Sequence, residues 1–210
     1  MFVSTYAGAV AGIDAVKVTV EVNLTGGGLG LYLVGLPDNA VKESEQRIRA
    51  AFENTGRKMS GRKVVVNLAP ADLRKEGAGF DLPIAVGILA AMSEVSGELL
   101  PTTMFAGELS LTGEVRHING ALPMAISARD LGYKQIYLPE ADAAEASAAQ
   151  GIDVFPVRDV LSLYNHLTGG KQLEPVPFSA DRLRAETSVH ALDFADIKGQ
   201  QGAKRAAEIA

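Results

Sequence analysis

Strict alternation of apolar and polar residues over positions 15–24 constrains the fold more than any other feature of the sequence. A period of two is typical of a β-strand that buries one face and leaves the other in water, as in an antiparallel sheet. The chain must therefore build a sheet with one covered face. The apolar positions are Val16, Val18, Val20, Val22 and Leu24.

Two further strands are predicted beside this one. Residues 2–10 precede it across the turn at 12–14, and residues 29–34 follow it after three successive glycines at 26–28. Glycine and aspartate are the residues that short turns favour. The first part of the chain is thus predicted to open as a β-meander.

Helices are predicted on both sides of a buried strand at residues 64–68. The first begins with Asp38 as N-cap and ends near Gly56. The second is capped by Asp81 and is apolar almost all round through Met92, a composition typical of a helix inside the core.

Residues 105–118 are predicted to form a hairpin around Thr112 and Gly113. Strands and helices then alternate, which is typical of parallel strand pairing. These elements are a helix at 121–131, a strand at 135–138, a helix at 141–149, a strand at 152–155 and a helix at 158–167.

The alternation ends at Gly169 and Gly170, and the following residues carry prolines and scattered charges without a period. We predict one domain over residues 1–170, a linker over 171–192 and the start of a second domain over 193–210. Within that last part, residues 201–210 are predicted to begin a helix.

Composition and missing motifs exclude several classes of function. A net charge of −5 argues against a protein that binds polyanions over its whole surface, and the lack of cysteine excludes disulfides and thiolate metal sites. Neither G-x-x-x-x-G-K-[ST] nor G-x-S-x-G occurs. We expect no metal site, because the three histidines fall in different predicted elements: His117, His166 and His190.

No membrane partner is expected either. The longest apolar run, residues 82–92, is far shorter than the roughly 20 residues that span a bilayer, and the first lysine is Lys17, so no basic leader precedes it. We expect a cytoplasmic protein.

One stretch concentrates positive charge. It is interpreted either as a surface that contacts DNA or another subunit, or as a solvated helix face with i,i+4 ion pairs. The residues are Lys42, Arg47, Arg49, Arg57, Lys58, Arg62 and Lys63.

Two segments are too specific to follow from composition alone. The first motif segment, residues 34–44, reads VGLPDNAVKES; the second motif segment, residues 67–85, contains NLAPADLRKEG and FDLPIA. Both resemble the N-terminal region of the ComM/YifB family of magnesium-chelatase-like AAA+ ATPases. The sequence DFADIKGQ at 193–200, followed by AKRA at 203–206, resembles the start of that family's ATPase module.

This resemblance covers essentially the whole chain and implies an intact protein that is a hexameric, Mg-ATP-dependent motor. ComM-type members of the family are helicases that migrate DNA branches. They act when transforming DNA recombines, as part of competence. The chain itself is expected to hold no cofactor, because the phosphate-binding loop and magnesium ligands would follow Ala210. Ile197, Gly199 and Gln200 would line part of an adenine pocket at most.

The segment GELSLTGEV at 107–115 resembles a strand pair of the Lon protease proteolytic domain. This implies an α+β fold of the ribosomal protein S5 domain 2-like type. Lon-type proteolysis needs a serine nucleophile and a lysine base. The alignment places Gly79 and Leu122 at these two positions, so no catalytic residue is expected.

We therefore expect the chain alone to catalyse nothing and to act as a scaffold or binding domain. Two alternatives stay open: a chelatase-type motor that remodels a protein partner, and a residual Lon-type peptidase. The loop with Arg74 and Lys75 either presents these cations to an anion or a neighbouring subunit, or is a solvated loop in which Glu76 pairs with them.

Overall fold

The computed structural model describes residues 1–59, 61–180 and 197–209. They fall into two compact units, Met1–Phe178 and Ser179–Ala210. The strands, all in the first unit, are β1 (Phe2–Ala11), β2 (Asp14–Thr25), β3 (Gly30–Val34), β4 (Lys63–Ala69), β5 (Thr103–Phe105), β6 (Glu108–Leu109), β7 (Val115–Arg116), β8 (Gln135–Pro139) and β9 (Asp153–Val157). The helices are α1 (Asn39–Lys42), α2 (Ser44–Asn54), α3 (Asp81–Ala91), α4 (Ala121–Asp130), α5 (Ala143–Ala146), α6 (Val160–Leu167) and, in the second unit, α7 (Gln201–Ile209).

The first sheet has the strand order β1-β2-β4-β3. The alternation in β2 is confirmed, since Val18, Val20 and Val22 are completely buried. The predicted meander is wrong in one respect: β3 does not pair with β2, because β4 lies between them, antiparallel to β2 and parallel to β3. A parallel pair needs a crossover, and α1 and α2 supply it.

Helix α3 forms the centre of the core, and all eleven of its residues are buried. It packs closely on the sheet at Gly87, where an added Cβ would lie 2.6 Å from Cγ2 of Val22. The N-cap of α3 is Phe80 and not the predicted Asp81, because the Asp81 carboxylate binds side chains of α2 instead. A short 3₁₀ turn, Ala78–Phe80, leads into the helix.

The second sheet, β5-β8-β9, is parallel throughout, which confirms the pairing predicted from the strand and helix alternation. Helix α4 packs over a second hydrophobic cluster that includes Met104, Ile136 and Leu138. The predicted hairpin is shorter than expected, because β5 joins β8 and only β6 and β7 pair with each other. The first unit thus combines helices with one mixed four-stranded sheet, one parallel three-stranded sheet and the antiparallel pair of β6 and β7.

The first unit extends to Phe178, beyond the predicted linker start at residue 171. Two hydrogen bonds explain this: the Leu173 N–H donates to Nδ1 of His166 at 3.0 Å, and the Val176 N–H donates to the Val154 carbonyl at 2.8 Å. Residues 181–196, which include most of the predicted linker and the first residues of the predicted second domain, lie outside the described residues. Among the described helices, none is long and apolar enough to cross a membrane.

Candidate functional site

The two motif segments dock on each other. The Asp38 N–H donates to the Lys75 carbonyl at 3.0 Å, and the Lys75 N–H donates to the Leu36 carbonyl at 3.3 Å. The Asp38 carboxylate accepts from the Val41 N–H at 2.8 Å and from the Gly77 N–H at 3.0 Å. Asp38 therefore caps α1, as predicted, and also ties the second motif segment to the first.

The turn after β3 holds its residues in an unusual conformation. Gly35 has φ 100°, and a Cβ there would lie 2.1 Å from the Leu68 carbonyl oxygen, so no other residue fits. Leu36 has φ 54° although it is not glycine, and the residue is 58% exposed. Such strain persists only where the surroundings brace the backbone. The hydrogen bonds around Asp38 and Lys75 provide that brace.

A buried ion pair joins α2 to the start of α3. Asp81 is completely buried and accepts from Nε and Nη2 of Arg47 at 2.5 and 3.0 Å. It also accepts from the Ser44 hydroxyl and from the Leu109 N–H at 3.0 Å. The hydrogen bond to Asp81 is the main cause that raises the pKa of Arg47. Four donors around one carboxylate make this network a structural anchor.

Lys75 is not presented to solvent. Its side chain is completely buried, and its Nζ donates to the Pro70 carbonyl. Burial is the main cause that lowers the pKa of Lys75, while the charge of Asp72 opposes the shift. Both interpretations of this loop are therefore wrong for Lys75, since it is neither presented to a ligand nor solvated. Arg74 is 73% exposed and pairs with Glu76 at 3.2 Å.

A cleft of about 520 Å³ lies beside the second motif segment. Gly79 lines it, and a Cβ at this position would meet Cγ2 of Ile118 at 3.7 Å, an ordinary contact. Leu122 packs against the second hydrophobic cluster and is not among the described residues that line the cleft. The lining comprises residues 8–10, 74, 76–80, 108, 117–119 and 124.

His117 stands at the edge of this cleft, with its Nδ1 hydrogen-bonded to Asp142. The second Asp142 oxygen accepts from the Ile118 N–H at 2.9 Å. The hydrogen bond to Asp142 is the main cause that raises the pKa of His117. Sequence reasoning missed this pair, because no local spacing links two residues that meet only through the fold.

The seven basic residues do not form one exposed face. The side chains of Arg47 and Arg57 are only 16% and 15% exposed, and Arg57 pairs with Glu94 at 3.2 Å and stacks on the Tyr164 ring. Arg49 pairs with Glu45 on α2, and Lys63 lies over the Tyr32 ring. The exposed members are Lys42, Lys58 and Arg62.

Ile197, Gly199 and Gln200 precede α7 in the second unit. Ile197 is partly exposed, and Gly199 and Gln200 both have positive φ values, 73° and 53°. An adenine pocket at these residues stays a prediction. Among the described residues, no group of three or more histidines and acidic residues is arranged to hold a metal ion.

Comparison with known proteins bears on the motif segments and the cleft. The family model described as subunit ChlI of Mg-chelatase matches residues 20–142, which is more than half of the chain. The chain belongs to this family. The matched range of this ChlI-like chain contains both motif segments and the His117–Asp142 pair.

Individual relatives extend the match. The chain is 40% identical to competence protein ComM of Haemophilus influenzae over 98% of its own length and 40% of that protein. It is 36% identical to protein YifB of Escherichia coli over 96% of its own length and 39% of that protein. The ChlI-like chain therefore belongs with the ComM and YifB proteins and spans about two fifths of their length.

A more distant similarity connects the chain with proteases. Lon protease of Mycolicibacterium smegmatis is 27% identical over 74% of this chain and 21% of that protein.

His166 and His117 give opposite pH dependence of stability, because burial lowers the pKa of His166 and the hydrogen bond to Asp142 raises the pKa of His117. His166 accepts the Leu173 N–H on Nδ1, and burial lowers its pKa below 6.5, so it stabilises the fold above about pH 6.5 and this contribution is lost as the pH falls. His117 has a raised pKa, so its contribution is full below about pH 6.5 and is lost as the pH rises through the folded-state pKa. We expect His166→Gln to flatten the acid-side loss of stability and His117→Gln to steepen it. Urea unfolding across a pH series measures both, and identical pH profiles of the two variants contradict the assignment.

Proposed function

We propose that this chain is the non-proteolytic N-terminal domain of a magnesium-chelatase-like AAA+ ATPase. In this proposal, the intact protein is a hexameric, ATP-dependent motor that migrates DNA branches during recombination. The similarity to competence protein ComM over almost the whole chain supports the DNA role. The ribosomal protein S5 domain 2-like fold is part of the proposal and is supported by the similarity to Lon protease.

One observation carries the non-proteolytic part of the proposal. Gly79 lines the cleft at the position aligned with the Lon serine, and the apolar Leu122 stands at the position aligned with the lysine. A Cβ fits at Gly79, so the cleft has room for a serine at this position. The serine is missing because the sequence has glycine here, and not because of a lack of space. With neither nucleophile nor base, the cleft binds or supports but does not cleave.

ATP and Mg²⁺ belong to the intact protein in this proposal. Ile197 offers an apolar surface and Gly199 a tight turn, which suits the edge of an adenine ring. The sequence holds no G-x-x-x-x-G-K-[ST] loop for phosphates. The residues present therefore fit only the base of the nucleotide, and the phosphates would be held by further parts of the longer protein.

The test of this function uses the longer protein. We expect its ATP hydrolysis to be stimulated by a four-way DNA junction and not by unfolded casein, and we expect casein to survive incubation. A matched junction-free duplex is the control. Stimulation by casein alone would support the motor that remodels proteins. Casein cleavage that disappears with Ser110→Ala, a substitution in the turn between β6 and β7, would support the residual peptidase.

Exposed cations test the DNA-binding role of the basic stretch. In the longer protein, we expect Lys42→Glu with Lys58→Glu to weaken junction binding and to reduce its salt slope by about 0.9 for each phosphate that is no longer neutralised. Lys134→Glu with Lys171→Glu, at two exposed lysines outside the basic stretch, is the control of equal charge. Salt titrations of binding measure the slopes. If both double variants behave alike, the basic stretch is a solvated face.

A further inference from the structure

The last residues of the first unit, 171–178, form a strap beside β9, which is the outer strand of its sheet. The Leu173 N–H donates to Nδ1 of His166 at 3.0 Å, and the Val176 N–H donates to the Val154 carbonyl at 2.8 Å. Leu173 and Val176 are half-buried against the hydrophobic clusters, and the other residues of the strap are exposed. A segment with so few buried contacts opens more readily than the core.

The hydrogen bonds of His166 determine which ring nitrogen carries the proton. A backbone N–H can only donate, so the Nδ1 that accepts from Leu173 carries no proton. The proton of the neutral ring is therefore on Nε2, which lies 2.8 Å from the Tyr137 hydroxyl and donates to it. Burial and the charge of Asp153 raise the pKa of Tyr137, so this hydroxyl stays protonated. A second proton on His166 must bind Nδ1, where it meets the Leu173 N–H and breaks that hydrogen bond.

The surroundings of His166 do not compensate a positive charge. The groups that face it are neutral: the Tyr137 hydroxyl from β8, the Phe155 ring from β9, and the Leu173 N–H and the Gln172 amide from the strap. The charged residues of the strap, Lys171 and Glu174, are exposed. Burial is the cause that lowers the pKa of His166, and no charged side chain of the described residues contributes to this shift.

We propose that residues 171–178 are a proton-sensitive strap, which His166 holds on β9 while its ring is neutral and releases when Nδ1 is protonated. Release leaves the Val154 carbonyl without its donor and frees the chain up to Phe178, where the first unit ends. It needs neither ATP nor DNA.

The pH range of the release follows from linkage. Because the held strap disfavours protonation of His166, the held state is favoured above about pH 6.5 and loses this advantage as the pH falls. Opening takes up one proton, so the ratio of released to held strap rises by up to about tenfold for each unit of pH below that value, until His166 is protonated in the held state as well.

The proposal is tested by NMR on the 210-residue chain. At neutral pH, we expect the ring nitrogen shifts of His166 to show a protonated Nε2 and an unprotonated Nδ1. Between about pH 7.5 and about pH 5, we expect the hydrogen-exchange protection of the Leu173 and Val176 amides to fall together by roughly threefold or more, after correction for intrinsic exchange rates. The amide of Val66, completely buried in the inner strand β4, should keep its protection.

Two variants assign the pH dependence to His166. His166→Asn retains an acceptor oxygen near the position of Nδ1 but does not titrate, so we expect the protection of the Leu173 amide not to change over this pH range. His117→Gln, at the other described histidine, is the control, and we expect it to show the full pH dependence of the unaltered chain.

Several outcomes overturn the proposal. These are the opposite tautomer of His166, protection of the strap amides that does not change with pH, and an equal fall of protection in His166→Asn, which would assign the release to a carboxylate such as Glu174. A parallel loss of protection at Val66 also overturns it, because the acid then unfolds the whole unit. DNA-stimulated ATP hydrolysis is measured separately, so failure of one proposal does not imply failure of the other.

Discussion

Replacing Asp81 with alanine is expected to lower the free energy of unfolding by about 3–5 kcal/mol. Asp81 is completely buried, and it accepts hydrogen bonds from Arg47, Ser44 and the Leu109 N–H. Removing the carboxylate leaves the Arg47 guanidinium with only the longer ion pair to the exposed Glu43, at 3.6 Å, and it leaves two further donors without an acceptor. Urea unfolding followed by circular dichroism measures the loss.

Two further variants distinguish the effect of removing the buried Asp81 carboxylate from the general effect of removing an acidic side chain. Asp130→Ala removes an exposed partner of Arg129, for which we expect a change of about 1 kcal/mol or less. Adding Arg47→Met to Asp81→Ala should recover part of the lost stability, because no half-buried guanidinium then remains beside the site that Asp81 occupied. If Asp81→Ala costs no more than Asp130→Ala, the network does not anchor α2 to α3.

Gly35→Ala is expected to destabilise the fold by about 3–5 kcal/mol. The new Cβ would lie 2.1 Å from the Leu68 carbonyl oxygen, and the backbone already has φ 100°. Relief of this overlap requires the end of β3 to move away from β4, which also disturbs the docked motif segments.

Gly27→Ala is the matched control for the cost of a positive φ alone. Gly27 has φ 85°, and an added Cβ there meets nothing within 4 Å, so we expect a loss of about 1–2 kcal/mol. Thermal unfolding measures the loss of stability in both variants. The difference between the two losses is the cost of the steric overlap beyond that of the positive φ. Equal losses would contradict the close approach of Gly35 to Leu68.

Patterns that repeat along the chain were sufficient to predict several elements. The alternation in β2 and the apolar composition of α3 each reflect burial of many neighbouring residues, so local sequence determined them. The position of β3 was not predictable in this way, because the insertion of β4 between β2 and β3 depends on the crossover through α2. Strand order is a non-local property that turn residues alone do not determine.

The candidate site shows the same limit. The sequence marked both motif segments, which the structure shows docked on each other, but it assigned Asp81 to a helix cap. A carboxylate at the start of a helix is suited to cap that helix. Only the folded structure shows that the Asp81 carboxylate binds Arg47 instead. The sequence did not predict the partners of Arg57 and His117 either, because each partner lies far from its residue along the chain.

The docking of the motif segments has a consequence for protein engineering. Asp38 and Gly77 hold the two ends of the intervening stretch together, so this stretch is a closed loop with fixed ends. Its exposed turn after α2, near Lys58, is far from that closure in sequence. The entropy cost of a longer loop grows only with the logarithm of its length. A fluorescent reporter or an affinity tag inserted at this turn would therefore leave in place the hydrogen bond between Asp38 and Gly77 and the docking of the two motif segments.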